Sequence, residues 1–406
     1  MGAVRPVESR SEKAGQSERP EDCKDTEDEA SVCSEELSTD SDTVEQAAEL
    51  RQRTQPEKLK QSQHPKAQET VSKPNTQDTE TAQEEAARAR KHAKVAGGRL
   101  YAGFCLAYAG AMAASFAGLI PATKLELLTV QDTVETAEFL GRNIWVPAVL
   151  AVIYYFTIFG IQDYLKDRKP FDLRYALAAW SMLLAVFSIL GSLRTVPVVF
   201  EIIRTRGLFH MLCGDTRFDW LVGNPAGWWT KMFIYSKLPE LVDTLFIVLR
   251  KKKLITLHWY HHITVMLFCW SSLASMCMNG LIFSSMNLTV HAFMYAFYAI
   301  TALGYRPTQF AIYITFLQIL QMVVGTAVSV FISYQENYVE PPVEYSSMFN
   351  ATWDITTTSE LDDGMCKVHP FTATSGTAMY GSYLYLFSSF FYYAYLKPAN
   401  TKAKAA

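Results

Sequence analysis

Residues 258–278 read HWYHHITVMLFCWSSLASMCM, a run in which three histidines open an otherwise apolar stretch. The run matches the length of ~20 residues that a helix needs to cross a bilayer. Its histidines stand at positions i, i+3 and i+4, so one face of a helix carries all three imidazoles. Ionisable groups inside a membrane-length segment are costly and mark functional sites, so this histidine face predicts an active or binding site.

The 406 residues divide into two unlike parts. Residues 1–95 are rich in Glu, Asp, Ser, Thr, Gln and Lys, and no Phe, Trp or Tyr precedes Tyr101. A stretch of this composition cannot bury a core, so we predict a disordered acidic and polar tail over 1–95. From Leu100 onward the chain is apolar and aromatic. The overall net charge of -3 averages the two parts and describes neither.

Eight stretches after residue 95 are long and apolar enough to cross a bilayer as helices. They lie at 100–120, 143–163, 174–203, 229–249, 257–278, 281–303, 309–334 and 374–396. The first is rich in Ala and Gly, and an interfacial or targeting segment remains the alternative there. We therefore predict an all-α integral membrane protein in four parts. These are the tail 1–95, an extra membrane helix with its linker over 96–142, a seven-helix domain over 143–397 and a tail 398–406.

Basic residues test this layout through the positive-inside rule. Clusters occur at 88–99, 166–174 and 250–253, followed by Arg306 and the tail 397–404. With eight spans, all of them fall on the same side of the membrane, which is the cytosol. The layout therefore predicts that both termini are cytosolic. Without the first span, only the N-terminal cluster would move to the wrong side.

The loops on the other side would then face a lumen. Cys213 and Cys366 both fall in such loops, where disulfides persist, and we predict that they pair; two free thiols are the alternative. Asn350 begins an N-glycosylation sequon in the acidic loop before the last span. At the C-terminus, Lys402 and Lys404 resemble the cytosolic dilysine retrieval signal of endoplasmic-reticulum membrane proteins.

Four consecutive spans carry polar residues at helical spacing, so each span presents one polar stripe. The stripes are Lys237, Glu240, Asp243 and Thr244; His258, His261 and His262; Asn287, His291, Tyr295 and Tyr298; and Thr315, Gln318 and Gln321. Lipid cannot satisfy these groups, so the stripes must face one another or a wet cavity. Counted from their basic ends at about 1.5 Å per residue, they meet in the cytosolic half of the membrane. A polar chamber there, with Arg250 and Lys252 at its mouth, suits a substrate with an anionic head and an apolar tail.

Several stripe residues have structural interpretations that stay open. Lys237, Glu240 and Asp243 belong to the chamber or form an ion-pair set that locks helices together. The two glutamines of the seventh span are equally consistent with hydrogen bonds between helices. Arg194, inside the third span, lines the chamber or neutralises Glu240 or Asp243.

In this order and spacing, the blocks resemble the ELO family of fatty acid elongases over about residues 130–400. KLPELVDT at 237–244 is similar to KxxExxDT, and HWYHH at 258–262 is similar to HxxHH. The block from Asn287 to Tyr298 is similar to NxxxHxxMY, and TFLQILQ at 315–321 is similar to TxxQxxQ. The resemblance implies a seven-helix transmembrane core around an enclosed tunnel, in the endoplasmic-reticulum membrane. Residues 1–125 depart from the family's short N-terminus.

The resemblance implies condensation of an acyl-CoA with malonyl-CoA to a 3-oxoacyl-CoA, with loss of CO2 and CoA. An HWYHH box is similar to that of members that act on long saturated or monounsaturated chains. A neutral imidazole can attack a thioester and form an acyl-imidazole, and His261 is the expected nucleophile. His291 is expected to stabilise an enolate or move a proton. His258 and His262 are expected to orient the nucleophile. Asp243 or Glu240 is expected to fix the tautomer of a histidine. Substrate-binding roles are expected for Lys237, Glu240, Asp243, Asn287, Tyr295, Gln318, Gln321, Arg250, Lys252 and Arg194.

The implied partners are acyl-CoA, malonyl-CoA, membrane lipid, and the reductases and dehydratase of the elongation cycle. Whether the protein forms a homo-oligomer stays open. No nucleic acid, metal or further cofactor is expected. Two other classes remain as alternatives: a membrane di-iron fatty-acyl oxygenase and a non-enzymatic multi-helix lipid carrier. Imidazole suits iron, but only four of the eight histidines fall in the polar stripes, fewer than two irons need.

Overall fold

The computed structural model describes residues 76–214, 217–275, 279–335, 366, 368 and 370–397, and the fold is given for this part of the chain. The tail up to residue 75, the glycosylation sequon at Asn350 and the dilysine-like tail 398–406 lie outside the described residues. Within these ranges the chain is helical and contains no strand, so the expected all-α class is confirmed there.

Eleven α-helices follow one another in the described ranges. They are α1 (Thr76–Phe116), α2 (Val130–Arg142), α3 (Val146–Tyr164), α4 (Arg174–Arg206), α5 (Leu208–Cys213), α6 (Pro225–Ser236), α7 (Val242–Leu249), α8 (Thr256–Ala274), α9 (Gly280–Ala302), α10 (Ala311–Tyr334) and α11 (Pro370–Phe391). Short 3-10 turns cover Lys124–Glu126, Pro239–Leu241 and Thr308–Phe310, and π-helical turns cover Arg217–Leu221 and Tyr392–Leu396.

Helix α1 begins at Thr76, inside the stretch that we expected to be disordered, so that expectation is wrong for residues 76–95. The reason is local, because this stretch is rich in Ala, Glu, Gln, Arg and Lys, which have high helix propensity, and it continues directly into the apolar span. The helix has 41 residues and is therefore about 60 Å long, twice the hydrocarbon thickness of a bilayer. Gly118, with a φ of 69°, follows its last residue and allows the chain to turn away.

The predicted span 229–249 is interrupted in its middle. Helix α6 ends at Ser236, a 3-10 turn covers Pro239–Leu241, and α7 begins at Val242. Pro239 explains the interruption, because proline has no backbone N–H to continue the helical ladder and its ring clashes with the preceding turn. The break falls inside the block that begins at Lys237, although the residues that flank the turn keep right-handed helical backbone angles.

Three helical segments in the described part of the chain are long and apolar enough to cross a membrane. They are Val146–Tyr164, Arg174–Arg206 and Thr308–Tyr334. The remaining expected spans are not among these three, and one of them is divided into the short helices α6 and α7. The count of seven core spans and one extra span therefore stays a prediction.

The helices pack as a bundle in which α4 and α9 form the most extensive pair and α10 pairs with α11. Helix α8 contacts α2, α3, α6 and α11, so the histidine-bearing helix lies well inside the bundle. The indole of Trp270 on α8 donates to the carbonyl of Leu140 on α2 at 3.0 Å. We call the end that carries Lys251–Lys253 the basic end. At the other end, Cys213, the last residue of α5, forms a disulfide with Cys366, which precedes α11.

Candidate active site

A cavity of about 460 Å³ lies among α4 and α7–α11, and it brings together residues from all four polar stripes. The site residues expected from the sequence that line it are Asp243, Arg250, Lys252, His258, His261, His262, Asn287, His291, Tyr295, Gln318 and Gln321. Apolar residues such as Val290, Met322 and Phe387 complete the wall. We call this space the reactive cavity, because the four imidazoles of the polar stripes all line it.

The three histidines of α8 are held close together by their helical spacing. The ring centroids of His258 and His262 are 4.5 Å apart, and those of His261 and His262 are 5.5 Å apart. The His258 Nε2 atom lies 3.0 Å from the hydroxyl of Thr244, which also contacts the hydroxyl of Tyr154 at 2.6 Å. His258 is thus anchored to α7 and α3, whereas the rings of His261 and His262 make no hydrogen bond to any described side chain. Those two rings are available to a substrate.

Helix α9 contributes Asn287, His291 and Tyr295, one turn apart on the face that lines the cavity. The rings of His291 and Tyr295 are 5.2 Å apart, nearly perpendicular. The Tyr295 hydroxyl donates to one oxygen of Asp243 at 2.6 Å, and the Trp180 indole donates to the other at 2.6 Å. The expectation that Asp243 fixes a histidine tautomer is therefore not met: the residue that holds a histidine ring is Thr244, and Asp243 orients Tyr295.

Lys237 and Glu240 form a buried ion pair behind the cavity wall. The ammonium of Lys237 donates to both oxygens of Glu240, at 2.8 and 2.9 Å, and to the side-chain oxygen of Asn287 at 3.3 Å. The Ser236 hydroxyl adds a further bond to Glu240 at 2.8 Å. Neither charged residue is among those that line the cavity, and contact of either one with a substrate stays a prediction. Lys237 thereby contacts α9 through Asn287, which does line the cavity.

Arg194 does not reach the reactive cavity, and the expectation that it lines the chamber or neutralises Glu240 or Asp243 is wrong. Its guanidinium Nε lies 2.9 Å from a carboxylate oxygen of Glu126, and its other nitrogens donate to the carbonyls of Ile120 and Pro121. The sequence carried no signal for this pair, because its acidic partner is 68 residues away in a linker without a motif.

The carboxylate of Glu126 is the centre of this second polar cluster. It accepts the Trp229 indole at 2.7 Å and the backbone N–H of Thr123 at 2.8 Å. Burial alone would raise the pKa of Glu126, but the hydrogen bonds from Thr123, Trp229 and Arg194 together outweigh it and lower the pKa below its ordinary value. The cluster joins the linker after α1 to α4 and α6, and its role in the fold is structural.

The basic residues near the cavity mouth divide into two kinds. Arg250 and Lys252 line the cavity, as expected. Lys251 instead has a structural role: its ammonium donates to the carbonyls of Lys166 and Arg168, at 2.7 and 3.0 Å, and its own φ is 51°. A separate groove of about 620 Å³ at the basic end is lined by Lys166 and Lys251–Lys253 and contains no histidine.

Tyr383 on α11 contacts His261 but does not line the cavity, and it is not among the site residues expected from the sequence. Its ring centroid is 5.0 Å from that of His261, and its hydroxyl donates to the His261 carbonyl at 3.2 Å and contacts the Thr264 hydroxyl at 2.5 Å. Only 1% of its surface is exposed. A signal existed, since Tyr380, Tyr383 and Phe387 recur every three or four residues in the last span.

The described residues contain no group of three or more His, Cys, Asp or Glu side chains arranged to hold a metal ion. The four imidazoles surround the cavity from two helices, and the one that is hydrogen-bonded contacts a hydroxyl, not a carboxylate. The arrangement offers imidazole nitrogens and hydrogen-bond donors around one cavity whose wall also includes apolar side chains.

The chain is similar in sequence to several known proteins. The chain is 39% identical to "Very long chain fatty acid elongase 6" of Drosophila melanogaster, over 62% of this chain and 72% of that protein. It is 38% identical to the Mus musculus protein of the same name, over 67% of this chain and 92% of that protein. It is 40% identical to "Fatty acid elongase 2" of Trypanosoma cruzi, over 57% of this chain and 76% of that protein.

A family profile described as "ELO: GNS1/SUR4 family" matches residues 139–403, most of the chain and all four polar stripes. This family consists of multi-pass membrane proteins, in agreement with the long apolar helices. The chain therefore belongs to the ELO (GNS1/SUR4) family.

Proposed function

We propose that this protein is a fatty acid elongase that condenses an acyl-CoA with malonyl-CoA. The product is a 3-oxoacyl-CoA two carbons longer, released together with CO2 and CoA. The names of the relatives support this activity, and the observation that carries it is the convergence of four imidazoles on one enclosed cavity with Arg250 and Lys252 at its mouth. The acyl chain extends past Met322 into the apolar part, while the CoA phosphates meet the basic rim.

In the first step, the imidazole of His261 attacks the thioester carbonyl of the acyl-CoA. A nitrogen–carbon bond forms, the carbon–sulfur bond breaks, and the departing CoA thiolate takes the proton that the imidazole loses. His261 suits this role because its ring faces the cavity and makes no hydrogen bond with the described side chains around it. The covalent intermediate divides one difficult reaction into two easier ones.

The position of the His261 ring is set from two sides. Tyr383 packs against it at a centroid distance of 5.0 Å, and His262 does so at 5.5 Å. The hydroxyl of Tyr383 also holds the His261 carbonyl, so that α11 and α8 are joined at this residue. A nucleophile held in this way needs little reorganisation before attack, which lowers the barrier.

In the second step, malonyl-CoA replaces the departed CoA and loses CO2. The electrons of the broken carbon–carbon bond form an enolate, whose carbon attacks the acyl carbonyl. The nitrogen–carbon bond breaks, and the imidazole of His261 takes up a proton from solvent, because the proton it lost in the first step left with CoA. His291 and Asn287, one turn apart on α9, are placed to donate hydrogen bonds to the enolate oxygen. Lys237 polarises Asn287 from behind through its bond to the amide oxygen.

Gln318, Gln321 and Tyr295 supply further polar contacts on the cavity wall. We further propose long saturated or monounsaturated acyl chains as substrates, an endoplasmic-reticulum location with the basic end on the cytosolic side, and association with the reductases and dehydratase of the same cycle. The basic clusters and the HWYHH box support these assignments. No cofactor besides the two CoA substrates enters the scheme.

Mass spectrometry of the purified protein after incubation with acyl-CoA alone tests the mechanism. We expect an acyl adduct on His261, which disappears when malonyl-CoA is added and is absent in His261→Ala. Cys269, a buried thiol on the same helix, is the built-in control for a cysteine mechanism. An adduct on Cys269, or none on any residue under single-turnover conditions, would reject the acyl-imidazole. Release of labelled CO2 from malonyl-CoA separates an elongase from a lipid carrier.

A further inference from the structure

Helix α1 lies outside the residues 139–403 that match the family, yet it packs against the helix that carries His291. The ring of Tyr101 is 2% exposed, and its hydroxyl donates to the carbonyl of Phe293 on α9 at 3.0 Å. Its ring centroid is 4.9 Å from that of Phe310. Farther along α1, the Tyr108 hydroxyl donates to Ser192 on α4 at 3.0 Å. Helix α1 is therefore docked on the α4–α9 pair by buried polar and aromatic contacts.

The closest approach is between α1 and the loop that joins α9 to α10. The Arg306 N–H donates to the carbonyl of Ala93 at 3.2 Å. A Cβ added at Gly97 would lie 2.7 Å from the Arg306 nitrogen and 3.0 Å from the Pro307 nitrogen, closer than real Cβ atoms approach backbone. Only glycine permits this contact, so the loop rests directly on the backbone of α1.

This loop continues the rim of the reactive cavity. Thr301 and Ala302, at the end of α9, line the cavity only a few residues before the loop reaches α1. On its other side the rim is held by Arg174, whose guanidinium donates to the Ala302 carbonyl at 2.9 Å and to the Leu303 carbonyl. The rim is thus fixed between α1 and the start of α4.

We propose that α1 is part of the substrate entrance of this protein: through Gly97 it positions the loop that completes the cavity rim. The inference rests on the proposed function. Gly97 is a positioning residue, because it touches no substrate and acts through Thr301 and Ala302. Displacement of the rim changes how acyl-CoA and malonyl-CoA enter and bind, while the imidazoles on α8 and α9 keep their places. Helix α1 thereby makes substrate binding in this protein depend on a segment outside the family's common domain.

The test compares Gly97→Ala with substitutions at glycines that face open space on the same helix. Gly103 and Gly110 have no atom within 4 Å of an added Cβ, so Gly103→Ala and Gly110→Ala are matched controls. For Gly97→Ala we expect KM for both CoA substrates to rise roughly fivefold to tenfold while kcat stays within about twofold. The dissociation constant of a non-hydrolysable acyl-CoA thioether should rise in parallel. The two controls should match wild type in every readout.

An intermediate case is Gly98→Ala, where the added Cβ would lie 2.0 Å from the side-chain amide nitrogen of Gln309. That side chain can turn aside, so the variant folds even if Gly97→Ala does not, and we expect a smaller rise in KM, roughly twofold to threefold. Unchanged KM in both variants, a fall in kcat alone, or equal effects in the controls would overturn the proposal. Inactivity of wild type would instead reject the elongase assignment, and binding of the thioether would still report on the entrance.

Discussion

Substitution of Lys237 by methionine should destabilise the protein strongly, because it leaves the carboxylate of Glu240 buried without its counter-charge. The two side chains are 1% and 4% exposed, and the ammonium bonds both carboxylate oxygens. Removing one partner of a buried ion pair costs about 3–5 kcal/mol. The Ser236 hydroxyl, the other donor to this carboxylate, cannot replace a positive charge. Asn287 also loses its hydrogen bond from α6, which adds to the loss.

The control for this substitution is Lys231→Met. Lys231 is a half-buried lysine on α6, the helix that ends just before Lys237, and no ion pair of Lys231 is present among the described residues. It should change stability by no more than about 0.5 kcal/mol. The double variant Lys237→Met with Glu240→Gln removes both charges, and it should recover most of the loss. A coupling energy of about 2–3 kcal/mol between the two substitutions is expected.

Intrinsic fluorescence against denaturant, in detergent, measures these differences for five proteins: wild type, Lys237→Met, Glu240→Gln, their double variant and the control Lys231→Met. The elongation assay on the double variant then separates structure from substrate binding. If the Lys237–Glu240 pair is structural, we expect the double variant to be stable and to keep its KM for both CoA substrates. If Lys237→Met is as stable as Lys231→Met, or if the two charge removals are simply additive, the ion-pair interpretation is refuted.

Three further predictions concern other parts of the fold. Cys366→Ser should change mobility on non-reducing gels and cost about 2–5 kcal/mol; identical mobility would count against the disulfide. Because the folded protein lowers the pKa of Glu126, its carboxylate stabilises the fold above the ordinary value of 4.5, and this contribution is lost as the pH falls through the lower folded pKa. The free energy of unfolding should therefore fall less steeply with decreasing pH in Glu126→Gln than in wild type. Identical pH profiles of the two proteins would contradict this. Tyr380 stacks on Phe283, which lines a small void of about 10 Å³ beyond the reactive cavity. If Tyr380 limits the length of the bound acyl chain, Tyr380→Ala should raise the ratio of kcat/KM for longer acyl-CoA to that for shorter acyl-CoA about tenfold. Tyr380→Phe is the control. An unchanged chain-length profile in Tyr380→Ala would exclude Tyr380 as the limit.

The convergence of the polar stripes could be predicted because one physical rule governs all of them. Side chains such as His261, His291 and Gln318 cannot be satisfied by lipid, so helical spacing and depth together determine where they meet. The structure places these residues around one cavity. The same rule could not distinguish a residue on the wall from one behind it. Lys237 shares its stripe with Asp243, but Lys237 is paired with Glu240 whereas Asp243 lines the cavity.

Contacts between distant segments without a motif could not be predicted. Arg194 was correctly seen as a buried charge in need of a partner, but the stripe rule offered only acidic residues of other spans. Its partner, Glu126, lies in a linker that looks unremarkable in composition. Tyr383 was overlooked for a related reason, since tyrosines in an apolar span are usually packing residues and only its hydroxyl bond to His261 distinguishes it. The early start of α1 was missed because overall polarity suggested disorder, although its residues favour a helix.

The bridge between Cys213 and Cys366 has a consequence for biosynthesis. The two cysteines are 153 positions apart, and the helices α6–α10 all lie between them. When Cys213 leaves the ribosome, Cys366 has not yet been synthesised. The Cys213 thiol therefore cannot form the disulfide until nearly the whole catalytic bundle has been made. Oxidation then joins Cys213 at the end of α5 to Cys366 just before α11. A chain that ends before residue 366 therefore cannot form this bond.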